Sequence, residues 1–380
     1  MGIGKSPVES MGLNPSFWKR RKVLITGHTG FKGSWLSLWL QKLGAQVSGY
    51  ALEPPTEPNL FQLADVPKGM ISLLGDVQNF QQLCSFILAQ QPEIIIHGAA
   101  QALVRRSHDE PLLTYATNVL GTANVLESVR RNKSVRVVIV VTSDKCYENR
   151  EWLWPYRENE PLGGSDPYSS SKACAELVTA AYRDSFFPLE KLEEHGVAIA
   201  TVRAGNVIGG GDWAQDRLVP DIVRAMSTGR PVRVRHPAAI RPWQHVLEPL
   251  RGYLMLAERL HQDGRRFSGA WNFGPDSGDA KPVQWVVETM AELWGAIAGW
   301  QQETGEHMPE AEILSLDSTK ARKVLGWEPE MSLTTALEWT VEWYRAFHRN
   351  ENLQRLTLEQ IDRYESLFVC DPKASHQERL

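Results

Sequence analysis

The chain has little cysteine: Cys84, Cys146, Cys174 and Cys370 are the only four in 380 residues, and none stands in a C-x-x-C or Cys/His pair of metal-ligand spacing. A disulfide framework and a structural zinc site are excluded as organising devices, and a reducing compartment is expected. No apolar run approaches the roughly 20 residues needed to cross a bilayer, and the opening M-G-I-G-K-S-P-V-E-S lacks the apolar core of a signal segment. The expected location is the cytoplasm. Excess positive charge is missing too. The 41 Lys and Arg against 45 Asp and Glu give a net charge of -4, which argues against a general nucleic-acid surface, so any anionic ligand must be met by a local pocket. There is no internal repeat and no low-complexity segment. What remains is an ordinary globular composition, 42% hydrophobic and 23% charged, in a chain long enough for two or three lobes.

What is present concentrates between Val141 and Lys172. The run V-T-S-D-K-C-Y is followed by a polar loop with Trp152, Trp154 and Tyr156, and then by S-D-P-Y-S-S-S-K-A-C-A-E. Asp166 and Pro167 suit an N-cap and a first helical position, so Tyr168 and Lys172 are expected on one helix face. A phenol titrating at about 10 is a poor base at neutral pH, and a neighbouring ammonium favours its ionised form. The pair is a candidate for taking a proton from an alcohol, although an exposed Tyr/Lys pair on an amphipathic helix has the same spacing.

Earlier in the chain, K-V-L-I-T-G, G-H-T-G-F-K-G and S-W-L-S-L-W-L-Q-K-L-G read as strand, glycine turn and helix. Gly27, Gly30 and Gly33 permit a tight turn, close approach of a pyrophosphate, and close packing of helix on strand; His28, Thr29, Phe31 and Lys32 complete the turn. The second strand ends near Glu53 with no Arg or Lys placed for a 2′-phosphate, which favours NAD over NADP with Glu53 as a candidate ribose partner. M-I-S-L-L-G-D-V puts Asp76 and Val77 at a strand end where an adenine would lie, though Asp76 could equally be a helix N-cap. In P-E-I-I-I-H-G-A-A-Q the small residues Gly98, Ala99 and Ala100 would let a cofactor lie against the backbone, and His97 reads as a core histidine. Five strand-helix units, each strand nearly continuous in apolar residues, predict an α/β fold with a Rossmann-type doubly wound parallel sheet. Ligands gather at the carboxyl ends of such strands, so the glycines, Asp76, Ala99, Ser143, Asp144 and Tyr168 are expected in one crevice.

Taken together, G-x-x-G-x-x-G, G-D-V, H-G-A-A, T-S-D and Y-S-S-S-K resemble an extended short-chain dehydrogenase/reductase of the nucleotide-sugar branch over roughly residues 20 to 345. R-A-G-N-V-I-G-G-G-D-W, R-L-V-P-D-I-V-R-A, R-P-W-Q-H-V and L-D-S-T-K-A-R-K-V-L-G-W-E-P continue the resemblance toward the C-terminus. It implies an NAD site that also includes Gln101 and Asn118, and a nucleotide-sugar site with Asn206 on the diphosphate and Arg217, Leu218, Val219, Arg233, Arg241 and His245 around phosphate and base. In the dTDP-glucose 4,6-dehydratases of this family the corresponding run is T-D-E, with the Asp as acid and the Glu as base. Ser143, Asp144 and Lys145 take those places here. Simple 4-epimerases lack such a pair, so the resemblance implies elimination of water, with CDP-linked glucose as the substrate and deoxysugar biosynthesis of the O-antigen type as the setting. Tyr168 supported by Lys172 would take the 4-hydroxyl proton while C4 gives hydride to NAD. Asp144 in its protonated form would then give a proton to the departing 6-hydroxyl, a role its desolvation favours and a Lys145 cation opposes. Lys145 stands as base or as electrostatic support, since an ammonium accepts no proton until its pKa is depressed.

The expected division is an arm over 1–19, a Rossmann domain over 20–204 plus about 233–273, a substrate lobe over 205–232 plus about 274–350, and a last helix and tail over 351–380. A homodimer or homotetramer is implied by the resemblance. Trp285, Trp294, Trp327, Trp339 and Trp343 fall on helical patterns and read as core or subunit contacts, while Trp213 and Trp243 are candidates for stacking on the ligand. Another nucleotide-sugar dehydratase or epimerase, and a non-catalytic dinucleotide-responsive protein, stay open as alternatives.

Overall fold

A computed structural model describes residues 12–296, 299–303 and 314–368. Its centre is a seven-stranded sheet of β1 (Lys22–Thr26), β2 (Gln46–Ala51), β3 (Met70–Leu74), β4 (Ile94–His97), β5 (Val137–Val141), β6 (Ala198–Ala204) and β10 (Gly269–Phe273). The order is β10-β6-β5-β4-β1-β2-β3, and every pairing is parallel. The expected doubly wound α/β architecture is observed. Because neighbouring strands run the same way, each needs a crossover, and helices fill both faces. Period-two side-chain alternation then divides the core. Val23, Ile25, Ile94, Ile96, Val137 and Ile139 join one cluster, whereas Leu24, Ile95, Val138 and Val140 join the other with Val125, Leu126 and Val129. The order reverses beside β1, between β2 and β4, and that switch point leaves a crevice at the carboxyl ends.

The second lobe is built on two small sheets. β7 (Asn206–Ile208) pairs parallel with β9 (Ile240–His245), which pairs antiparallel with β11 (Ala280–Pro282); β8 (Val232–Val234) pairs with β12 (Trp300–Gln302). The return to the main sheet therefore begins with the helix Leu247–Gln262, not near 233 as the sequence suggested: β8 and β9 find their hydrogen-bond partners in the small sheets. The stretch before residue 20 is likewise less of a free arm than expected. Pro15–Trp18 is helical under an Asn14 cap, and the buried Trp18 indole donates to Glu258 Oε1 at 2.7 Å. The expected last helix spans Leu353–Phe368, and the tail expected over 371–380 lies outside the described residues.

Tryptophans knit the lobes together. On the glycine-turn helix Phe31–Lys42, the Trp35 indole donates to the Gly210 carbonyl at 3.0 Å and the Trp39 indole to Glu365 Oε1 at 2.7 Å. Trp327 and Trp343 are fully buried, Trp343 on the helix Leu333–His348 and Trp327 in the segment before it. At this junction Glu248 accepts from the backbone N–H groups of Glu330 and Met331 at 3.0 and 2.8 Å and from the Tyr364 hydroxyl at 2.8 Å. Burial lifts its carboxyl from 4.5 to about 7. A carboxyl raised in the folded state contributes stability that is full below its ordinary value and is lost as pH rises through the folded value. Glu248→Gln keeps the two acceptor contacts and removes the titration. We expect urea unfolding at successive pH values to show the wild type losing on the order of 3 kcal/mol relative to this variant as the pH is taken up past the raised value.

Candidate active site

The glycine turn is shaped by two close approaches. Gly27 has φ +79°, and a Cβ there would lie 2.7 Å from the Ala99 amide nitrogen; a Cβ on Gly33 would lie 2.1 Å from the Gly27 carbonyl oxygen. The turn, the start of the Phe31–Lys42 helix and the Ala99 backbone are thus in direct contact, which is the cradle a dinucleotide pyrophosphate requires. Thr29 Oγ1 donates to the Leu52 carbonyl at 2.9 Å and ties the turn to the end of β2. His28 departs from expectation. Its ring is fully buried beneath β2 and β3, bonded through Nε2 to Ser72 Oγ at 2.7 Å, and a Cβ on Gly49 would strike it at 2.3 Å. Only its backbone lines the turn, and burial lowers its pKa to about 4.

The floor of the cradle is fixed from below. The Ala99 amide donates to Thr26 Oγ1 at 3.2 Å, Thr26 Oγ1 meets His97 Nδ1 at 2.6 Å, and His97 Nε2 meets Thr122 Oγ1 at 3.1 Å. His97 is the satisfied core histidine its context suggested, with its pKa lowered to about 3 by burial first and the Lys172 charge second. Asn118 is buried, accepts from the Gln101 amide at 2.9 Å, and donates to Ser171 Oγ at 2.8 Å. It holds the segment Ala100–Gln101 against the tyrosine helix. Val77 is buried in the apolar core and Asp76 accepts from the Gln78 amide at 2.9 Å; the adjacent helix is capped by Asn79 instead.

The reactive groups come from β5 and the helix Pro167–Phe186, which Asp166 caps through the Ser169 amide as the sequence predicted. Beyond β5, Ser143 Oγ accepts from the Lys145 amide at 3.2 Å and donates to Asp144 Oδ1 at 2.9 Å. Asp144 is buried and its second oxygen, Oδ2, has no hydrogen-bond partner among the described residues. Burial raises its pKa, against the opposing pull of Lys145, the Ser143 hydroxyl and Lys32. This is the balance anticipated from sequence, and desolvation wins. Tyr168 and Lys172 are both buried on one helix face. The expected lowering of the phenol is not what the protein alone provides: burial pushes Tyr168 up to about 12, Ser143 pulls it back through a hydrogen bond, Asp144 adds to the rise, and Arg217 is the principal cation lowering it. Lys172 is spent elsewhere. Its ammonium donates to the Val141 carbonyl at 3.1 Å, and burial lowers it to about 8.

Arg217 donates to Asp212 Oδ2 at 2.9 Å and acts on both Tyr168 and Lys32. Lys32 lies in the field of Asp144, Lys172, Arg217 and Asp212, and burial lowers it to about 8, so the glycine turn sends one of its own side chains into the catalytic cluster. Leu218 opens the helix Leu218–Ser227, Asn206 starts β7, Arg233 is exposed on β8, and Arg241 is nearly buried on β9 with one guanidinium N–H on the Ile240 carbonyl at 2.9 Å. Four of the residues expected around the ligand are buried. His245 is fully buried between Trp35 and Trp339, Val219 sits in the apolar core, and Trp213 and Trp243 are core residues, Trp213 against Tyr344 and Phe347 and Trp243 with its indole on the Lys281 carbonyl. Sequence reading passed over Asp212, Glu176 and Arg203. Only Glu176 carried a signal, since it continues the Tyr168, Lys172 spacing by one more turn.

The NAD dependent epimerase/dehydratase family profile matches residues 23–272. A curated CDP-glucose 4,6-dehydratase of Salmonella typhimurium is 51% identical over 93% of this chain and 99% of its own length. A dTDP-glucose 4,6-dehydratase of Streptomyces griseus is 27% identical over 70% of this chain and 74% of its own. Among solved structures, DesIV of Streptomyces venezuelae, a dTDP-glucose 4,6-dehydratase with NAD bound, aligns with TM-score 0.74 over 87% of this chain and 99% of its own, at 22% identity. The cradle fits NAD in its glycine approaches and in the acidic, uncharged-by-Arg end of β2. We expect Gly33→Ala to remain folded by circular dichroism and to bind NAD at least about tenfold more weakly in calorimetric titration, because the new methyl must push helix from turn where the backbone packs closest.

Proposed function

The chain belongs to the NAD dependent epimerase/dehydratase family, and from that premise we propose that it converts CDP-D-glucose to CDP-4-keto-6-deoxy-D-glucose and water. The observation that carries the reading is Asp144: a buried carboxyl with a raised pKa, one oxygen unpartnered, directly after Ser143 and beside the Tyr168/Lys172 pair. Epimerisation needs no such acid; loss of a hydroxyl does. The identity to a CDP-glucose 4,6-dehydratase over nearly the whole chain supports the choice of nucleotide.

Gly27, Gly30, Gly33, Ala99 and Ala100 would hold NAD, which when bound supplies the hydride acceptor and donor of an internal oxidation and reduction. Tyr168, with Ser143 at its hydroxyl, takes the proton of the 4-hydroxyl. In the free protein it is a phenol, and the Ser143 hydroxyl and the Arg217 cation favour the charge it must carry as it accepts. The carbonyl formed at C4 makes the C5 proton acidic, and Lys145 is positioned in sequence to receive or electrostatically assist it. Asp144, whose desolvation favours the protonated form, delivers the proton that lets the 6-hydroxyl leave as water. Asn206, Arg217, Arg233 and Arg241 are the proposed diphosphate and base contacts. The setting we propose is deoxysugar biosynthesis of the O-antigen type, in the cytoplasm; no described helix is long and apolar enough to cross a membrane.

A second copy of the chain is part of the reading. Leu112, Leu120 and Leu177 are 83%, 60% and 58% exposed on adjoining helices, Leu177 on the helix that bears Tyr168. Apolar side chains this exposed on packed helices are what a helical subunit interface would cover. We expect Leu120→Arg with Leu177→Arg to halve the mass found by light scattering.

The reading is tested by incubating the protein and NAD separately with CDP-glucose, dTDP-glucose, GDP-mannose and UDP-glucose. Loss of one water from CDP-glucose alone is expected; unchanged mass with altered stereochemistry would make the chain an epimerase. Asp144→Asn should lower kcat by roughly 10²–10⁴ with the fold intact. Because the wild-type carboxyl is raised and active when protonated, activity should fall as pH rises through its pKa, and the variant's residual rate should lack that alkaline limb.

A further inference from the structure

Behind the reactive groups lies a buried polar network that no step above uses. Glu176, one turn beyond Lys172, accepts four hydrogen bonds: Thr142 Oγ1 at 2.5 Å, Thr201 Oγ1 at 2.7 Å, and the Arg203 guanidinium twice, at 2.9 and 2.8 Å. Both ionic partners are almost wholly buried. Arg203 also donates through Nη1 to the Tyr147 hydroxyl at 2.7 Å and to the Glu158 carbonyl at 3.1 Å, and its guanidinium lies 4.8 Å from the Tyr147 ring centre. The Tyr147 hydroxyl donates in turn to Asn272 Oδ1 at 2.8 Å.

The placement matters more than the count. Thr142 immediately precedes Ser143, and Tyr147 follows Cys146, so one ion pair grips the turn Ser143–Asp144–Lys145 at both ends. The carboxylate of that pair is anchored on the same helix as Tyr168 and Lys172. We propose that Glu176 and Arg203 are positioning residues that set the register of the Ser143–Lys145 turn against Tyr168 and Lys172, so that proton delivery by Asp144 follows oxidation at C4 without rearrangement of the site. The fork of Arg203 suits this task because it fixes direction as well as distance on the carboxylate. Glu176 has a second effect, since it is the largest charge supporting the buried Lys172 ammonium.

This rests on the proposed 4,6-dehydratase reading, in which oxidation and elimination use different groups. Loosening the turn should therefore slow elimination more than oxidation. Thr142→Val and Tyr147→Phe each remove one hydroxyl from the network without deleting a side chain or leaving a buried charge unpaired. In both, melting temperature and KM should stay close to wild type while kcat falls about tenfold, the cost expected when a reacting group is misplaced by a fraction of an ångström. Quenched reactions analysed by mass should show the oxidised but still hydrated 4-keto nucleotide sugar building up, and amide hydrogen exchange should quicken over residues 142–147. Arg203→Lys, which keeps the charge and loses the fork, should show the same pattern more strongly.

Unchanged kcat in both hydroxyl variants would overturn the proposal, as would a fall in kcat with no build-up of the hydrated 4-keto sugar, since that would place the network's effect on oxidation or on the fold. The wild-type assay on the four nucleotide sugars is run first. A different substrate there corrects the substrate reading, and the variants are then measured on that substrate, so the two failures are distinguishable.

Discussion

Everything in this molecule depends on the parallelism of its main sheet. Seven strands that all run one way deliver every carboxyl end to the same edge, and the crossovers they require cover both faces with helices. Residues as distant in the chain as Gly27, Ala99, Ser143 and the segment after β6 therefore arrive at one crevice. The close contact at Gly33, where any side chain would strike the Gly27 carbonyl, fixes the first helix against the first strand and leaves the amide-lined turn open toward that edge.

A crevice closed by packed helices is dry, and desolvation is what sorts its ionisable groups. Burial raises Asp144 and Tyr168 and lowers Lys32 and Lys172. Each shift disfavours the charged form, as a low-dielectric site must. The consequence differs by role. For Asp144 neutrality is the useful state, because an acid must hold its proton to give it away. For Tyr168 it is an obstacle, opposed by the Ser143 hydroxyl and the Arg217 cation. Glu176 is the exception that tests the rule: buried as deeply, it stays low because Arg203 and two threonine hydroxyls satisfy its charge. A buried ion pair is stable only when its remaining hydrogen-bonding capacity is met, and here it is met on the turn that carries the reactive groups.

The fold was legible in sequence because it rests on local patterns: apolar strand runs, glycine turns, a capped helix at Asp166 and Pro167, and the spacing of Tyr168 and Lys172. Side-chain direction at the rim was less legible. His28 lies within a cofactor-binding turn, yet its ring turns under β2 because Gly49 opens a hole there and Ser72 offers a partner. His245 and Trp243 lie on β9 in a segment resembling a nucleotide-binding one, but the His245 ring is enclosed by Trp35 and Trp339 and the Trp243 indole is held on the Lys281 carbonyl. Motif membership locates the backbone. Which way a side chain points depends on residues from elsewhere in the chain, and no local pattern encodes that.

The same distinction bears on how the lobes cooperate. Lys32, Lys172, Lys145 and Arg217 bring four basic side chains toward the crevice that holds Asp144, whose pKa burial raises, with Asp212 held against Arg217 and Glu176 against Arg203. The crevice is thus locally cationic in a chain of net charge -4. Lys145 follows β5, Lys172 stands on the helix Pro167–Phe186, Lys32 follows the glycine turn and Arg217 precedes the helix Leu218–Ser227. On the proposed reading, a diphosphate bound there would offset the Lys32 charge that opposes protonation of Asp144.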